Sequence, residues 1–121
     1  MSSVENAKYI EKKRSLFFGL PLSFTKYIIA DDVITIQEGL LNTTENDCYM
    51  YKVEDVKLLQ SLFEKILGLG TVVCHTGDVT NKEIHLIHIK NARSIKDFIL
   101  KSSEEDRSKR RTIYSANIGV D

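Results

Sequence analysis

Short runs of β-branched and aromatic residues, each ended by turn-forming residues, recur along the chain from residue 24 to residue 89. The first two runs lie on either side of Asp31 and Asp32, and in the second run Ile34 and Ile36 alternate with polar residues. Two such runs joined by a two-residue acidic turn are typical of a β-hairpin. The pattern therefore predicts a small, mostly β domain that begins with antiparallel strands.

Four further strands and one short helix are predicted in the middle of the chain. The predicted strands are residues 48–53, 56–59, 71–76 and 83–89. Residues 60–67 carry two pairs of apolar residues four positions apart, which predicts two turns of helix, and Gly68 stands where a helix C-terminal glycine belongs. Residues 42–46, which are rich in Asn and Thr, are predicted to form a loop.

The two ends of the chain differ from this strand-rich middle. Residues 1–15 have weak helical spacing and end in a charged run, so we expect a polar helix or a loose arm. An apolar stripe at helical spacing follows Asn91, a candidate helix cap, at Ala92, Ile95, Phe98 and Ile99. Residues 104–121 are predicted to be a charged tail or a helix running into solvent. The expected domain therefore spans residues 16–103.

Composition limits the possible functions more than it identifies one. The chain has 121 residues, the size of one domain, and its 42% hydrophobic content excludes wholesale disorder. Because 17 Lys and Arg balance 17 Asp and Glu, no net charge draws the whole molecule towards nucleic acid or anionic lipid. No apolar run suits a signal peptide or a membrane span, so we expect a cytoplasmic protein. Cys48 and Cys74 are then expected to be reduced and buried.

The order of the predicted elements resembles the bacterial pleckstrin-homology-like (PH-like) domain family. Residues 24–41, FTKYIIADDVITIQEGLL, are similar to the opening hairpin of that family. Residues 53–72 resemble its middle section, with a strand, a Gln-containing short helix and Gly-Leu-Gly before the next strand, and residues 89–99 look like its closing strand and helix. The resemblance implies a partly open barrel of about seven strands in two orthogonal antiparallel sheets, closed at one end by a C-terminal amphipathic helix.

No combination of residues in the sequence points to catalysis, a metal or a cofactor. His75 and His85 would be neighbours if their strands form a hairpin, but His88 has the opposite strand parity to His85, so the three do not converge as zinc ligands. The Gly68-Leu69-Gly70 sequence follows a helix and precedes a strand, the reverse of a phosphate-binding loop. We therefore expect no enzyme, no cofactor and no small-molecule substrate.

The resemblance and these absences favour a non-catalytic module that contacts a protein partner or associates with itself. Tyr49, Met50 and Tyr51 are candidate contact residues, because Tyr and Met are enriched at interfaces. An open barrel also has exposed strand edges, which must be blunted or paired with another chain. Pairing of these edges between two copies is the simplest form of self-association.

A second hypothesis is peripheral binding to anionic membrane lipids through two basic clusters. The candidate residues are Lys12, Lys13, Arg14, Arg107, Lys109, Arg110 and Arg111. The opening hairpin, where PH domains that bind phosphoinositides carry basic residues, offers only Lys26, and the acidic turn at Asp31 and Asp32 is expected to repel head groups. A nucleic-acid surface is not expected, since the C-terminal cluster lacks aromatic residues for base stacking.

Overall fold

The computed structural model describes residues 7–14, 24–80 and 82–118, with side chains up to residue 111. In chain order the elements are β1 (Ala7–Lys12), β2 (Thr25–Ala30), β3 (Val33–Glu38), β4 (Thr44–Tyr49), a 3-10 turn (Met50–Lys52), β5 (Val53–Leu59), α1 (Leu62–Leu67), β6 (Gly70–Thr76), β7 (Glu83–Ile89) and α2 (Ala92–Ile118). The strands form two antiparallel sheets, sheet A in the order β1-β2-β3-β4 and sheet B in the order β5-β6-β7. The predicted mostly β fold with a C-terminal helix is therefore confirmed.

The first predicted hairpin is confirmed in place and register. Ile29 at the end of β2 pairs with Ile34 near the start of β3, and Asp31 and Asp32 make the turn between them. The predicted strand–helix–strand order of β5, α1 and β6 is confirmed as well. Gly68 ends α1 in the left-handed conformation at φ 72°, which glycine adopts without the steric cost that a Cβ brings.

The prediction of a helix or arm at the N-terminus is wrong for Ala7–Lys12, which form the outer strand of sheet A. The burial of these residues alternates along the chain, and the ring of Tyr9 packs edge-on against Phe98 with 5.6 Å between the centroids. A period of two is the pattern of a half-buried strand, and pairing with β2 outweighs the weak helical spacing. Residues 1–6 and 15 of the predicted arm lie outside the described residues.

Two other predicted segments also need correction, the loop at residues 42–46 and the strand at residues 48–53. β4 begins at Thr44 within the predicted loop, and the predicted strand at residues 48–53 is interrupted by the 3-10 turn, whose Met50 N–H donates 2.8 Å to the carbonyl of Asp32. Residues 104–121 are expected to form a charged tail or a helix running into solvent, and the helical alternative is found: α2 continues through Ile118, while residues 119–121 lie outside the described residues.

The hydrophobic core is shared by both sheets and α2. Its fully buried members include Ile34 of sheet A, Leu86 of sheet B, and Ile95 and Ile99 of α2. The two cysteines are free and buried, as predicted. Burial raises the pKa of the Cys74 thiol to about 12, with a further contribution from nearby Cys48, so neither residue is a ready nucleophile.

Candidate interaction surface

β5 is one of the two outer strands of sheet B among the described strands. Val56 and Leu58 pack towards the core, while Asp55, Lys57 and Leu59, which alternate with them, are exposed. The N–H of Val56 donates 3.0 Å to the Asp55 carboxylate. This contact indicates that the Val56 backbone points away from β6, as expected for alternate residues of a strand at a sheet edge.

The short helix α1 follows β5 directly and starts with a capping box. The hydroxyl of Ser61 accepts a hydrogen bond of 3.2 Å from the N–H of Glu64, and the Glu64 carboxylate accepts one of 2.9 Å from the N–H of Ser61. These two bonds satisfy backbone donors that a helix leaves unpaired at its N-terminus. Two turns of helix are too few to be stable alone, so α1 depends on such local and tertiary contacts.

Glu64 also attaches α1 to sheet B. Its carboxylate is buried, accepts a hydrogen bond of 2.8 Å from the hydroxyl of Thr71, and lies 3.9 Å from Nε2 of His88. Burial by itself raises the pKa of Glu64, but the hydrogen bonds from Ser61 and Thr71 and the charge of His88 outweigh it and lower the pKa. Glu64 of α1 thus faces the protein, while Leu62, Phe63 and Ile66 of the same helix face outward.

Four large apolar side chains are exposed along this short segment. They are 51% to 71% exposed and comprise Leu59, Leu62, Phe63 and Ile66. We call these four residues together with the exposed edge of β5 the β5–α1 surface. Such a concentration of apolar side chains next to a strand edge that pairs with no other described strand is unusual for a protein surface and is typical of interaction sites.

The tyrosines that the sequence singled out lie just before β5, on either side of a buried residue. Tyr49 is exposed, and its ring stacks on that of Tyr51 with 5.9 Å between the centroids. Met50 is fully buried in the core and is not a surface residue. The 3-10 turn explains this arrangement, because it replaces the strand alternation on which the sequence argument relied.

The C-terminal basic cluster is held largely by contacts within the chain. The guanidinium of Arg110 lies 3.9 Å from the ring centroid of Tyr51, and Arg107 donates a hydrogen bond to the carbonyl of Val53. Arg111 donates 3.4 Å to the hydroxyl of Ser108. Lys109 lines a cavity of about 150 Å³ together with acidic residues of the β2–β3 turn and of α2: Asp31, Asp32, Glu105 and Asp106. The cluster is therefore not an open basic patch.

The N-terminal basic cluster lies at the opposite end of α2. Backbone hydrogen bonds connect Lys13 to Thr25 and Arg14 to His88, and Asn91, just before α2, donates 3.1 Å to Glu11. The C-terminal cluster begins sixteen positions after Asn91, or about 24 Å along the helix axis. The structure therefore does not bring the two predicted basic clusters into one patch.

The three histidines divide between two places, as the strand parity predicted. His75 and His85 lie on neighbouring strands and both contact the carboxylate of Glu83, at 3.3 and 3.1 Å. His88 instead contacts the carbonyl of Arg14 at 3.1 Å. In the part of the chain that the structure describes, no three His, Cys, Asp or Glu residues are arranged to hold a metal ion.

Cys48 and His85 both line a cavity of about 100 Å³ between β3, β4 and β7. Burial, with the negative charge of Asp78 adding to it, raises the pKa of Cys48. The thiol group also lies 3.7 Å from the carbonyl of Tyr49. A thiol held protonated in this way is a poor nucleophile, so the pair does not form an activated Cys–His site.

Sequence reasoning missed the outward orientation of Leu62, Phe63 and Ile66. The apolar spacing of residues 60–67 predicted two turns of helix but not which side of the helix is exposed. A signal for the outward orientation was present in Ser61 and Glu64, whose spacing of three is that of a capping box. The capping box places Glu64 against the sheet, and a two-turn helix cannot then bury its apolar residues as well.

The sequence model of the bacterial PH domain matches residues 16–103. Comparison with curated proteins and comparison with solved structures each give no significant match. None of the helices in the described ranges has the length and apolar character needed to cross a membrane.

Proposed function

This chain belongs to the bacterial PH domain family, and on that premise we propose that it acts as a non-catalytic interaction module that binds a protein chain through the β5–α1 surface. Domains of this family are typically interaction modules. We further infer that sheets A and B form the partly open, orthogonal barrel of PH-like domains. The core that both sheets share with α2 supports this inference.

The observation that carries the proposal is the exposure of Leu59, Leu62, Phe63 and Ile66 beside the outer strand β5. Removing apolar area from water is favourable by about 25 cal/mol for each Å², and this gain offsets the entropic cost of association. The backbone groups at the edge of β5 offer a partner directional hydrogen bonds as well. The surface thus combines affinity with a defined orientation.

Two further observations are consistent with this role. Glu64 and Cys74, whose pKa values are shifted, serve capping and packing, and Cys48, which lines a cavity, has a raised pKa that makes it a poor nucleophile. Tyr49 and Tyr51 lie just before β5, and we propose them as additional contact residues at that end of the strand. An exposed tyrosine supplies contact area at a low cost in side-chain entropy.

The test is photocrosslinking of the full chain in cells, with Phe63 replaced by p-benzoylphenylalanine. The matched control carries the same amino acid in place of Lys101, which is exposed on α2. We expect discrete crosslinked products from position 63 and none of them from position 101. The products should disappear when Leu62→Ser and Ile66→Ser are added. No product, or the same products from both positions, would contradict the proposal.

A second candidate function, peripheral binding to anionic lipid, is favoured by the other end of sheet A. Lys12 pairs directly with Lys26 across β1 and β2, and like charges in that position repel each other unless an anion lies between them. Both lysines line a cavity of about 250 Å³ that also includes Phe24. Leu40 and Leu41, in the nearby β3–β4 loop, are exposed, Leu41 at 93%.

The acidic turn does not oppose this candidate function as the sequence suggested. Asp31 and Asp32 follow the far end of β2, about 17 Å from Lys26 along the strand. The lipid-facing residues would then be Lys12, Lys26 and Leu41 rather than the C-terminal cluster. Lys13 and Arg14 adjoin this end of the sheet and remain candidates with them.

Vesicle co-sedimentation tests this second candidate function. We expect binding to phosphatidylglycerol vesicles but not to phosphatidylcholine vesicles, with affinity that falls steeply as salt rises from about 50 to 200 mM. Lys12→Gln with Lys26→Gln should remove the binding, whereas Lys101→Gln should leave it unchanged. Absence of binding at low salt, or equal effects of the two sets of substitutions, would exclude this site.

A further inference from the structure

We propose that the chain covering the edge of β5 is a second copy of this protein, whose β5 pairs antiparallel with residues 54–58 about a two-fold axis at Val56. The proposal rests on the proposed function, because it names the occupant of the β5–α1 surface. It joins two copies of sheet B into one six-stranded sheet. Both copies contribute the same residues, as a two-fold interface requires.

The direction of the Val56 backbone fixes the centre of this pairing. Its N–H is held by the Asp55 carboxylate at 3.0 Å, so the N–H and carbonyl of Val56 point towards the open edge. In antiparallel strands, two residues whose groups face each other exchange both hydrogen bonds. A two-fold axis at Val56 lets the two copies of this residue form such a pair.

The charges beside Val56 are complementary in this register. Asp55 of each copy lies opposite Lys57 of the other, and the two-fold axis generates this pair twice. Both residues are exposed and lie on one face of the strand. They flank a hydrogen-bonded pair, so they occupy the closer, non-hydrogen-bonded positions, where cross-strand side chains interact best. When the two copies pair, the Asp55 carboxylate releases the Val56 N–H of its own chain and contacts Lys57 of the second copy instead.

The other outer strands in the described residues are less suited to pairing with themselves. Centring β4 on Asn46 places Glu45 opposite Asp47, and centring β1 on Ile10 places Lys8 opposite Lys12. Each arrangement opposes like charges. The free side of β7 is engaged at its end, where the carbonyl of His88 accepts a hydrogen bond of 2.9 Å from the N–H of Arg14.

The apolar residues lie where they complete such an interface. Leu59 is on the same face as Asp55 and Lys57, and the register places it opposite Val53 of the second copy. α1 begins three residues later, so Leu62 and Phe63 lie next to each end of the paired segment. Apolar side chains at these positions exclude water from the hydrogen bonds of the paired strands.

The test is sedimentation velocity on the purified full chain at protein concentrations between about 10 µM and 1 mM. This range covers the dissociation constants that are typical of small and reversible interfaces. We expect dimers to increase with concentration. Asp55→Lys or Lys57→Asp alone should weaken the association at least about tenfold, because each opposes like charges twice. The double variant Asp55→Lys/Lys57→Asp should restore the original association. Glu104→Lys, which makes the same charge change at an exposed position of α2 away from the strand edges, is the matched control and should have no effect.

Several outcomes would overturn the pairing. These are a monomer over the whole concentration range, a double variant as weak as the single variants, or an equal loss with Glu104→Lys. Melting curves of every variant show that each is folded, and the double variant separates a lost charge pair from damage to β5. If the chain stays monomeric while Phe63 crosslinks to a different protein in cells, the self-pairing is wrong and the proposed function stands.

Discussion

The hydroxyl of Thr71 donates a hydrogen bond of 2.8 Å to the carboxylate of Glu64 and thereby joins α1 to β6. The same carboxylate accepts the N–H of Ser61, so one buried side chain both caps the helix and anchors it. The helix has only six residues and little stability of its own. The position of its exposed apolar residues therefore depends on Glu64.

Replacing Glu64 by Gln should destabilise the protein in a pH-dependent way. The folded-state pKa of Glu64 lies below its ordinary value of 4.5, so its contribution is complete above pH 4.5 and is lost as the pH falls through the folded value. We expect Glu64→Gln to lower the free energy of unfolding by about 1–2 kcal/mol at pH 7. Urea unfolding at pH 7 and pH 3 measures this difference.

The matched control for Glu64 is Glu104→Gln, since Glu104 is exposed on α2. The control should differ little from the original protein at either pH. The difference for Glu64→Gln should shrink as the pH falls towards 3, because protonation of Glu64 removes the charge that distinguishes the two proteins. A difference that stays constant or grows on acidification would show that the carboxylate is not stabilised as described.

Two neighbouring residues of α2 should respond very differently to truncation. Ile99 is fully buried in the core, whereas Leu100 is 39% exposed. We expect Ile99→Ala to cost about 3 kcal/mol of unfolding free energy and Leu100→Ala less than about 1 kcal/mol. Thermal or urea unfolding measures both. Similar losses for the two variants would contradict the orientation of α2 against the sheets.

The contact between Arg110 and Tyr51 should be a minor source of stability. Its geometry is that of a cation–π interaction at an exposed site, which contributes about 0.5–1 kcal/mol. Arg110→Ala should therefore lower the free energy of unfolding by about that amount, and Lys109→Ala, a matched exposed residue, should not. A double-mutant cycle with Tyr51→Leu measures the coupling. Zero coupling would mean that the two side chains do not interact.

The buried cysteines should be inert towards thiol reagents while the protein is folded. Cys74 has a pKa raised to about 12 by burial, and the thiolate is the reactive form. Because the folded-state pKa is the higher one, its contribution to stability is complete below the unfolded pKa of about 9 and falls as the pH rises towards 12. Titration with an aromatic disulfide should modify both cysteines in urea and neither in buffer. Rapid modification in buffer would contradict their burial.

The elements that could be predicted from the sequence are those with a repeated local signal. The turn at Asp31 and Asp32 and the apolar stripe from Ala92 to Ile99 specify their structure within a few residues. The strand assigned to residues 48–53 was only partly right, since the 3-10 turn at Met50 depends on a hydrogen bond to Asp32, eighteen positions earlier in the sequence. Strand parity alone cannot reveal such a long-range contact.

The candidate surface was harder to predict than the fold, for a related reason. Which side of α1 is exposed is decided by the contact of Glu64 with Thr71 on the following strand. Likewise, the availability of Arg107 and Arg110 is decided by Val53 and Tyr51, far from them in sequence. A charge or apolar pattern shows what a segment offers, but only the tertiary contacts show which groups remain free.

The most direct measurement of the role of the β5–α1 surface is hydrogen–deuterium exchange on the full chain at low and high protein concentration. If two copies pair through β5, peptides covering residues 53–67 should exchange more slowly at high concentration. Peptides covering β4, whose edge carries opposed like charges, should not change. Protection of β4 instead, or no concentration dependence at residues 53–67, would contradict the assignment of β5 and α1 as the surface through which this protein associates.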